Sequence, residues 1–445
     1  MKKAILATAA LAVVTAAMVS AQQARVTLRV QGFTSPASEI GTPLDLAKKK
    51  FIADAQRAIP GLTIRSEESP PNEAQRLVDI AAGTAADIWY QDASSLAKFA
   101  ASGNLLDMRK CLPLVPALKL DRFWPNVLKI HQQPDGAIYG LPDGFTPMVI
   151  YYNPEVFAKY KVPVPKADWT WNDLVRTAQL LTVDKNGRNA TQAGFDENNV
   201  ATWGFRVRKF PFEWVYRLWQ NGGDVLSPDG TTASGYLDSP ASIEAIQFQQ
   251  DLVYKYKVAP KPTVLDQMVQ QLGFNDRFLT GDFAMFDRGH WELVGLRASK
   301  NFKQGRVAVV GQPRNKTNAT VFYESGWVIN KAVERDPAKL KAACQLVERA
   351  TDVGYQQTKA VTGLEISGNR IAARGAVAAA PDPAVERVFV NLATAGRPPY
   401  GSKYAFYPAV ETILDSMMDR ILRGAPVAEQ VRAAVTEINR EVAKR

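Results

Sequence analysis

The sequence predicts an α/β protein built as two lobes, and three observations carry that prediction. A chain of 445 residues with 46% apolar side chains exceeds a comfortable single core, so two domains are expected. Its first third alternates short β-branched or apolar runs with amphipathic helical ones, the pattern of α/β units. Between Pro134 and Phe157 it reads PDGAIYGLPDGFTPMVIYYNPEVF, where Gly136, Gly140, Pro142, Gly144 and Pro147 interrupt any regular element before Met148 to Tyr152 forms a strand. Such a stretch suits a backbone crossing between two packed bodies, and ligand clefts commonly sit at such crossings.

Met1-Lys2-Lys3, the apolar run Ala4 to Val19 and the small residues of Val19-Ser20-Ala21 read as a secretory signal peptide over 1–21, cut before Gln22. The run falls short of the ~20 residues that a membrane span needs. No cysteine stands near the cut to carry a lipid anchor. A periplasmic or secreted protein is therefore expected. Without Lys2 and Lys3 the balance is 52 basic to 44 acidic side chains, a net of +8, interspersed along the chain. No basic stripe with aromatics between its charges is present, so no nucleic-acid partner is expected. An exported protein can join Cys111 and Cys344, but their spacing leaves open whether they meet.

The chemistry of catalysis is thin. His131 and His290 are the only histidines, and there is no HExxH, CxxC pair, GxSxG elbow, P-loop or GxGxxG. No cofactor, metal or catalytic residue is predicted. Acid/base work by two carboxylates stays open, because their separation is invisible in sequence.

The elements follow in order. Arg25 to Val30 alternates as a strand ending at Gln31-Gly32-Phe33, and Pro43 to Ile59 is an amphipathic helix. Leu62-Thr63-Ile64 is a second strand, Asn72 to Ala82 a helix stopped by Gly83, and Asp87 to Tyr90 a third strand. Gln91 to Ser94 leaves the carboxyl end of that strand, where ligands of open α/β sheets bind, and leads into a helix from Ser95 to Ala101. Thr170 caps a helix reaching Leu181, with Asp173 completing a capping-box variant. Helices follow over Phe212 to Gln220 and Ser239 to Tyr256, then a strand over Phe283 to Phe286. Tyr407 to Arg423 and a last helix starting at Pro426 carry apolar stripes suited to packing on a lobe.

The ordered set ADIWYQDASSLAKFAASGNLLDM (Ala86 to Met108), AIYGLPDGFTPMVIYYNPEVF (Ala137 to Phe157), WTWNDLVRTAQLLT (Trp169 to Thr182), WQNGGDVLS (Trp219 to Ser227), FLTGDFAMFDRGHW (Phe278 to Trp291) and ESGWVINKAVERDPAKLKAACQLV (Glu324 to Val347) covers nearly the whole mature chain. It resembles the substrate-binding protein of a bacterial ABC importer, in the carbohydrate-binding group that includes maltose-binding protein. The resemblance implies a two-lobed periplasmic binding protein fold, with hinge segments and a ligand cleft between the lobes. It places residues 22–144 in lobe 1 with 312–335 returning to it, and 145–311 in lobe 2 with 336–445 returning to that. Further crossings are expected at Gln312 to Asn315 and at Asp336-Pro337. The partners implied are a sugar and the permease subunits of an importer, bound by a monomer without stable membrane insertion.

A sugar cleft needs aromatic faces for the CH patches of pyranose rings and polar groups for the hydroxyls. By resemblance Trp291, Tyr407, Phe212 and Trp327 are the stacking candidates, although most tryptophan and phenylalanine side chains are core. Phe33, at the end of the first strand, is grouped with them. Asp92 and Ser94 match places where relatives hold hydroxyls, and Asp92 can accept two hydrogen bonds. Thr146 stands where maltose-binding protein has a carboxylate, which speaks against maltose. Arg397 suits a hydroxyl or an acidic sugar group. The expected function is capture of a mono- or oligosaccharide and its delivery to a permease. Alternatives are a non-sugar solute such as a polyol phosphate, or a secreted carbohydrate-active enzyme.

Overall fold

The structure, a computed structural model, describes residues 25–35, 40–133, 135–362, 364–394 and 396–444. The signal peptide expected at 1–21 lies outside the described residues. Strand β1 (Val26–Gln31) runs parallel to β2 (Leu62–Glu67), with Val26 opposite Leu62 and Gln31 opposite Glu67, and on its other side meets β3 (Ile88–Asp92). Helix Pro43–Ala58 connects β1 to β2; its apolar side buries Leu44, Phe51 and Ala55, and Thr42 caps it by accepting from the Asp45 N–H.

The Gly/Pro-rich segment is not a loop. Leu141–Pro147 forms strand β4, buried along its whole length, which corrects the expectation that glycine and proline would forbid a regular element there. Pro142 lies opposite Gly326, where the pairing with the neighbouring strand slips register, and Pro147 closes the strand. Both prolines therefore fall where the ladder is interrupted or ends. A Cβ on Gly144 would overlap the Glu365 side chain, which lies over the strand.

After Pro147 only Met148 separates β4 from β5 (Val149–Tyr152), and β5 belongs to a different sheet. A short hairpin of β6 (Val183–Asp184) and β7 (Val200–Thr202) follows, then β8 (Met285–Arg288) and β9 (Ala308–Val310), which flank β5 on either side. The chain returns to the first sheet as β10 (Thr320–Ile329), antiparallel to both β4 and β3. Strand β11 (Ile366–Ser367) pairs with the other side of β4, and β12 (Gly396–Arg397) runs beside the start of β10.

The helix Pro337–Ala350 buries Ala342, Ala343, Leu346 and Val347 in the same core as Leu28, Val30 and Ile329, and Tyr355 of the next helix joins them. This corrects the expectation that 336–445 turns to the second lobe at once. Asp336-Pro337 is a helix N-terminus, with the Asp336 carboxylate accepting from the Ala338 and Lys339 N–H groups. The return falls later, between helix Arg370–Ala379 and helix Pro383–Asn391, which packs on β9. Helices Tyr407–Leu422 and Val427–Val442 then bury Val410, Leu414, Met417, Val431 and Ile438 in the second lobe's core, beside Ile246 and Leu252 of helix Pro240–Tyr254. A third cluster, with Phe145, Val149, Tyr151, Phe286, Phe322 and Phe389, fills the space around the crossings.

Cys111 and Cys344 are bonded to each other across 233 residues of chain. The bond joins the short turn Met108–Cys111 to helix Pro337–Ala350 in the first lobe, and neither cysteine lines the cavity described below. Replacing both cysteines by serine is expected to lower the unfolding free energy by about 2–4 kcal/mol, mainly by freeing the unfolded chain, with ligand affinity unchanged. Denaturant titration of the two proteins checks this, and superimposable curves would show that the bond contributes nothing.

Candidate ligand-binding site

A cavity of about 700 Å³ opens between the lobes. The first lobe supplies Tyr90, Asp92 and Ser94, the second Phe210, Pro211, Phe212 and Trp291, and the crossing strands Thr146, Tyr323, Glu324 and Ser325. Leu364 and Glu365, just before β11, close one side; Pro408, Glu411, Thr412 and Asp415 close another. Those last four recur at helical spacing along one face of Tyr407–Leu422, opposite the face that buries Val410, Leu414 and Met417.

The aromatic wall is fixed by mutual packing. Trp291 stands between Phe212 and Tyr323, edge-on to each at centroid distances of 6.4 and 6.0 Å, and Phe212 meets Tyr323 edge-on at 5.8 Å. The Trp291 ring folds back over Gly289, where any Cβ would collide with it. The Thr146 hydroxyl accepts from the His290 N–H at 2.5 Å, tying β4 to the turn that carries Trp291. Thr146 is thus a fastener of the crossing as well as a lining residue.

Carboxylates supply the charged part of the lining. Asp92 caps the turn Ala93–Ser95 by accepting from the Ser94 N–H at 2.8 Å. It opens to the cavity, but the surrounding protein strips enough water from it to raise its pKa, a rise that the Ser94 bonds oppose and Glu73 adds to. Burial, with the charges of Asp92 and Glu73, pushes Glu411 up to about 7. Glu324 contacts His131 at 2.6 Å, Oε1 to Nε2. Burial pushes His131 down to about 3 and raises Glu324, which the nearby Glu365, Asp92 and Asp143 raise further. The pair is therefore neutral, sharing one proton, and Glu324 Oε2 is buried without a partner among the described residues.

Glu365 is held by Lys359, which also binds Asp143, and by the Tyr90 hydroxyl at 3.0 Å. Burial works against the Lys359 charge, but the two carboxylates hold its pKa raised, so the ammonium persists. Asp143 accepts in addition from Gln356 at 2.6 Å and from the Trp327 indole at 3.0 Å.

Of the residues singled out in sequence, Asp92, Ser94, Thr146, Phe212 and Trp291 line the cavity. Four others do not. Phe33 and Trp327 stack on each other, centroids 4.6 Å apart, inside the first lobe's core, and the Trp327 N–H is spent on Asp143. Tyr407 is 2% exposed and stacks on Tyr400. Arg397 pairs with Asp224 at 3.0 Å and lies over the Trp219 ring, on the rim of a separate small pocket. The sequence reading missed Tyr90, Tyr323, Glu324, Glu365, Glu411 and Asp415. The polar residues at 411, 412 and 415 recur along one helix face, and nothing in the sequence distinguishes them from a solvated face. Among the described residues no group of three or more His, Cys, Asp or Glu is placed to hold a metal ion.

Residues 50–386 match the family model of bacterial extracellular solute-binding proteins. The chain belongs to that family. In fold it is similar to an ABC substrate-binding protein from Listeria monocytogenes in complex with cycloalternan, with a TM-score of 0.76, 21% identity, and coverage of 93% of this chain and 98% of that one. It is likewise similar to the sugar-binding protein MalE from Xanthomonas citri, with a TM-score of 0.75, 16% identity, and coverage of 94% and 98%. In sequence it is 26% identical over 225 residues to a binding protein of Brucella abortus, a match covering 48% of this chain. The chain spans about half the length of that relative, 47%. The family and these neighbours are binding proteins, and they share the two-lobed α/β fold. No helix among the described residues is long and apolar enough to cross a membrane.

The raised Glu411 has a consequence for stability. Its folded-state pKa of about 7 lies above the ordinary 4.5. Between those values the folded state therefore holds a proton that the unfolded state has lost, and stability falls as pH rises through that window. Glu411→Gln removes the loss, so the variant should match the wild type at pH 4 and exceed it at pH 8 by up to about 3 kcal/mol. Melting curves at the two pH values check this; equal stabilities at pH 8 would show that Glu411 titrates normally.

Proposed function

We propose that this protein captures a mono- or oligosaccharide outside the cytoplasmic membrane, in the periplasm or the medium, and passes it unchanged to the permease of an ABC importer. The observation that carries this reading is the gathering of rings and oxygen-bearing side chains in one cavity. The rings of Phe212, Trp291 and Tyr323 offer apolar faces to pyranose CH groups, while Asp92, Ser94, Ser325, Glu365 and Glu411 offer oxygen atoms to hydroxyls. About 700 Å³ is within the usual range for ligand pockets. The passages of chain between the lobes, at Met148, between β9 and β10 and before helix Pro383–Asn391, are the connections that a hinge closing over such a solute would use.

A phosphate-bearing polyol is the weaker reading, because the lining holds five carboxylates and no lysine or arginine to balance an anion. Turnover is not expected of the site. The acidic groups serve as hydrogen-bonding partners, and the protein works as a monomer that releases its ligand intact.

A thermal-shift screen against a sugar panel tests the class of ligand. A sugar at 100 times its dissociation constant should stabilise the protein by about 2.7 kcal/mol, and chromatography after prolonged incubation should return it unaltered. Shortened or rearranged saccharide would overturn the non-enzymatic reading, and a panel without any shift would overturn the saccharide itself. Trp291→Ala should weaken sugar binding by about 1–3 kcal/mol, tenfold or more in affinity. Its denaturation midpoint should move little, since the ring faces a cavity. A collapsed midpoint with unchanged affinity would show a core ring that the sugar never touches.

A further inference from the structure

The charge of the cavity runs against that of the chain. The sequence carries a formal net charge of +10, yet every ionisable side chain lining the cavity apart from tyrosine is a carboxylate: Asp92, Glu324, Glu365, Glu411 and Asp415. Three of these already have partners. Asp415 pairs with Lys209 at 2.9 Å, Glu365 shares Lys359 with Asp143, and Glu324 is neutralised in its pairing with His131. Asp92 and Glu411 have no such partner. Asp92 accepts only from its own capping turn, and Glu411 makes no hydrogen bond or ion pair among the described residues. The two are neighbours, since the Asp92 charge acts on Glu411 and both charges act on Tyr323.

The rings tell the same story. Arg208 lies over Phe210 and Arg288 over Phe212, at 4.4 and 5.4 Å, so those two already have a cation of the protein on one face. Among the described residues no lysine or arginine lies over Trp291 or Tyr323. An aromatic lining in which Tyr323 feels both uncompensated carboxylates and Trp291 packs on Tyr323, in a cleft between the lobes, attracts a cation through both Coulomb and cation–π terms. The buried, unpartnered Glu324 Oε2 adds another acceptor in the same lining.

We propose that the cavity selects a saccharide bearing a protonated amine, with the ammonium held between Asp92 and Glu411 beside the Trp291 and Tyr323 rings. This rests on the saccharide reading above and narrows it to amino sugars and oligosaccharides that contain them. The ammonium supplies the countercharge that the cavity lining lacks, and its three N–H donors match carboxylate acceptors. A neutral sugar of the same shape leaves Asp92 and Glu411 facing each other uncompensated.

The test compares matched pairs by calorimetric titration of the purified protein at pH 7 and low salt. Glucosamine and the β-1,4-linked glucosamine disaccharide are each set against their N-acetylated counterpart, which keeps the ring and loses the charge. The amine should bind at least about tenfold tighter, and added salt should weaken it more than the N-acetyl form. The Asp92→Asn/Glu411→Gln double variant should lose the preference while melting no lower than the wild type at pH 7. If that variant does not fold, each single variant is titrated, and each should reduce the preference. N-acetylated or neutral sugars binding as tightly as the amines, or a folded variant that keeps the preference, would overturn the proposal and leave the saccharide reading standing. If neither these pairs nor the neutral panel binds, the saccharide reading falls and the proposal with it.

Discussion

The antiparallel pairing of β4 with β10 is the constraint on which the rest of the molecule depends. Both strands lie inside the first sheet, and each is joined to the second through a short connection, Met148 after β4 and the segment after β9 before β10. Their pairing fixes where the chain leaves one lobe for the other. It also aims Thr146, Tyr323, Glu324 and Ser325 into the same cavity. Asp143 pins the pair from within: buried to 1% exposure, it gathers Lys359, Gln356 and the Trp327 indole. A carboxylate so placed is tolerable only while its partners are present. The packing of helix Val353–Ala360 and the position of Glu365 are thereby coupled to the strand pair.

That coupling accounts for the division of labour between the walls. The side that carries charge is organised around β3, β10 and the Lys359 cluster, where every carboxylate but two has found a cation or a shared proton. The side that carries rings is organised by the turn after β8, where the Trp291 ring covers Gly289 and the Thr146 hydroxyl anchors the backbone. Helix Tyr407–Leu422 contributes to the charged side from the second lobe, so Glu411 faces Asp92 across the space that a ligand would occupy. Burial in the cleft, with carboxylate charge brought from the other lobe adding to it, raises proton affinity there, as the elevated Glu411 shows.

Several features were legible before any fold was known because their physics is local. The cap at Thr170 and its reciprocal bond with Asp173 form as the spacing indicates, since a capping box needs only residues three apart. Asp92 and Ser94, singled out beyond a strand end and by resemblance, and Trp291, singled out by resemblance, line the cavity. Tyr407 and Trp327, assigned to the cleft by resemblance, and Phe33, grouped with them, lie in cores. Whether a ring turns inward depends on strand pleat and on what packs behind it: Trp327 meets Phe33 and Asp143, neither of which is adjacent in sequence. The strand character of Leu141–Pro147 was hidden for a related reason. Pro142 is tolerated because β10 slips register beside it, Pro147 because it ends the strand, and Gly144 because it leaves the room that Glu365 occupies.

By itself the sequence determined the α/β class, the two-lobed family, most helices and strands, and the lack of any recognisable catalytic motif. These follow from periodicity, capping and ordered motifs, which act over a few residues or recur in fixed order. Only the tertiary structure decided that Cys111 and Cys344 are bonded, that helix Pro337–Ala350 stays with the first lobe, and which side chains share the cavity. It alone revealed that the cavity of a basic protein is acidic. Charge in a cleft is a sum over residues from Asp92 to Asp415, brought together by the crossings of the chain, and no window along the sequence contains that sum.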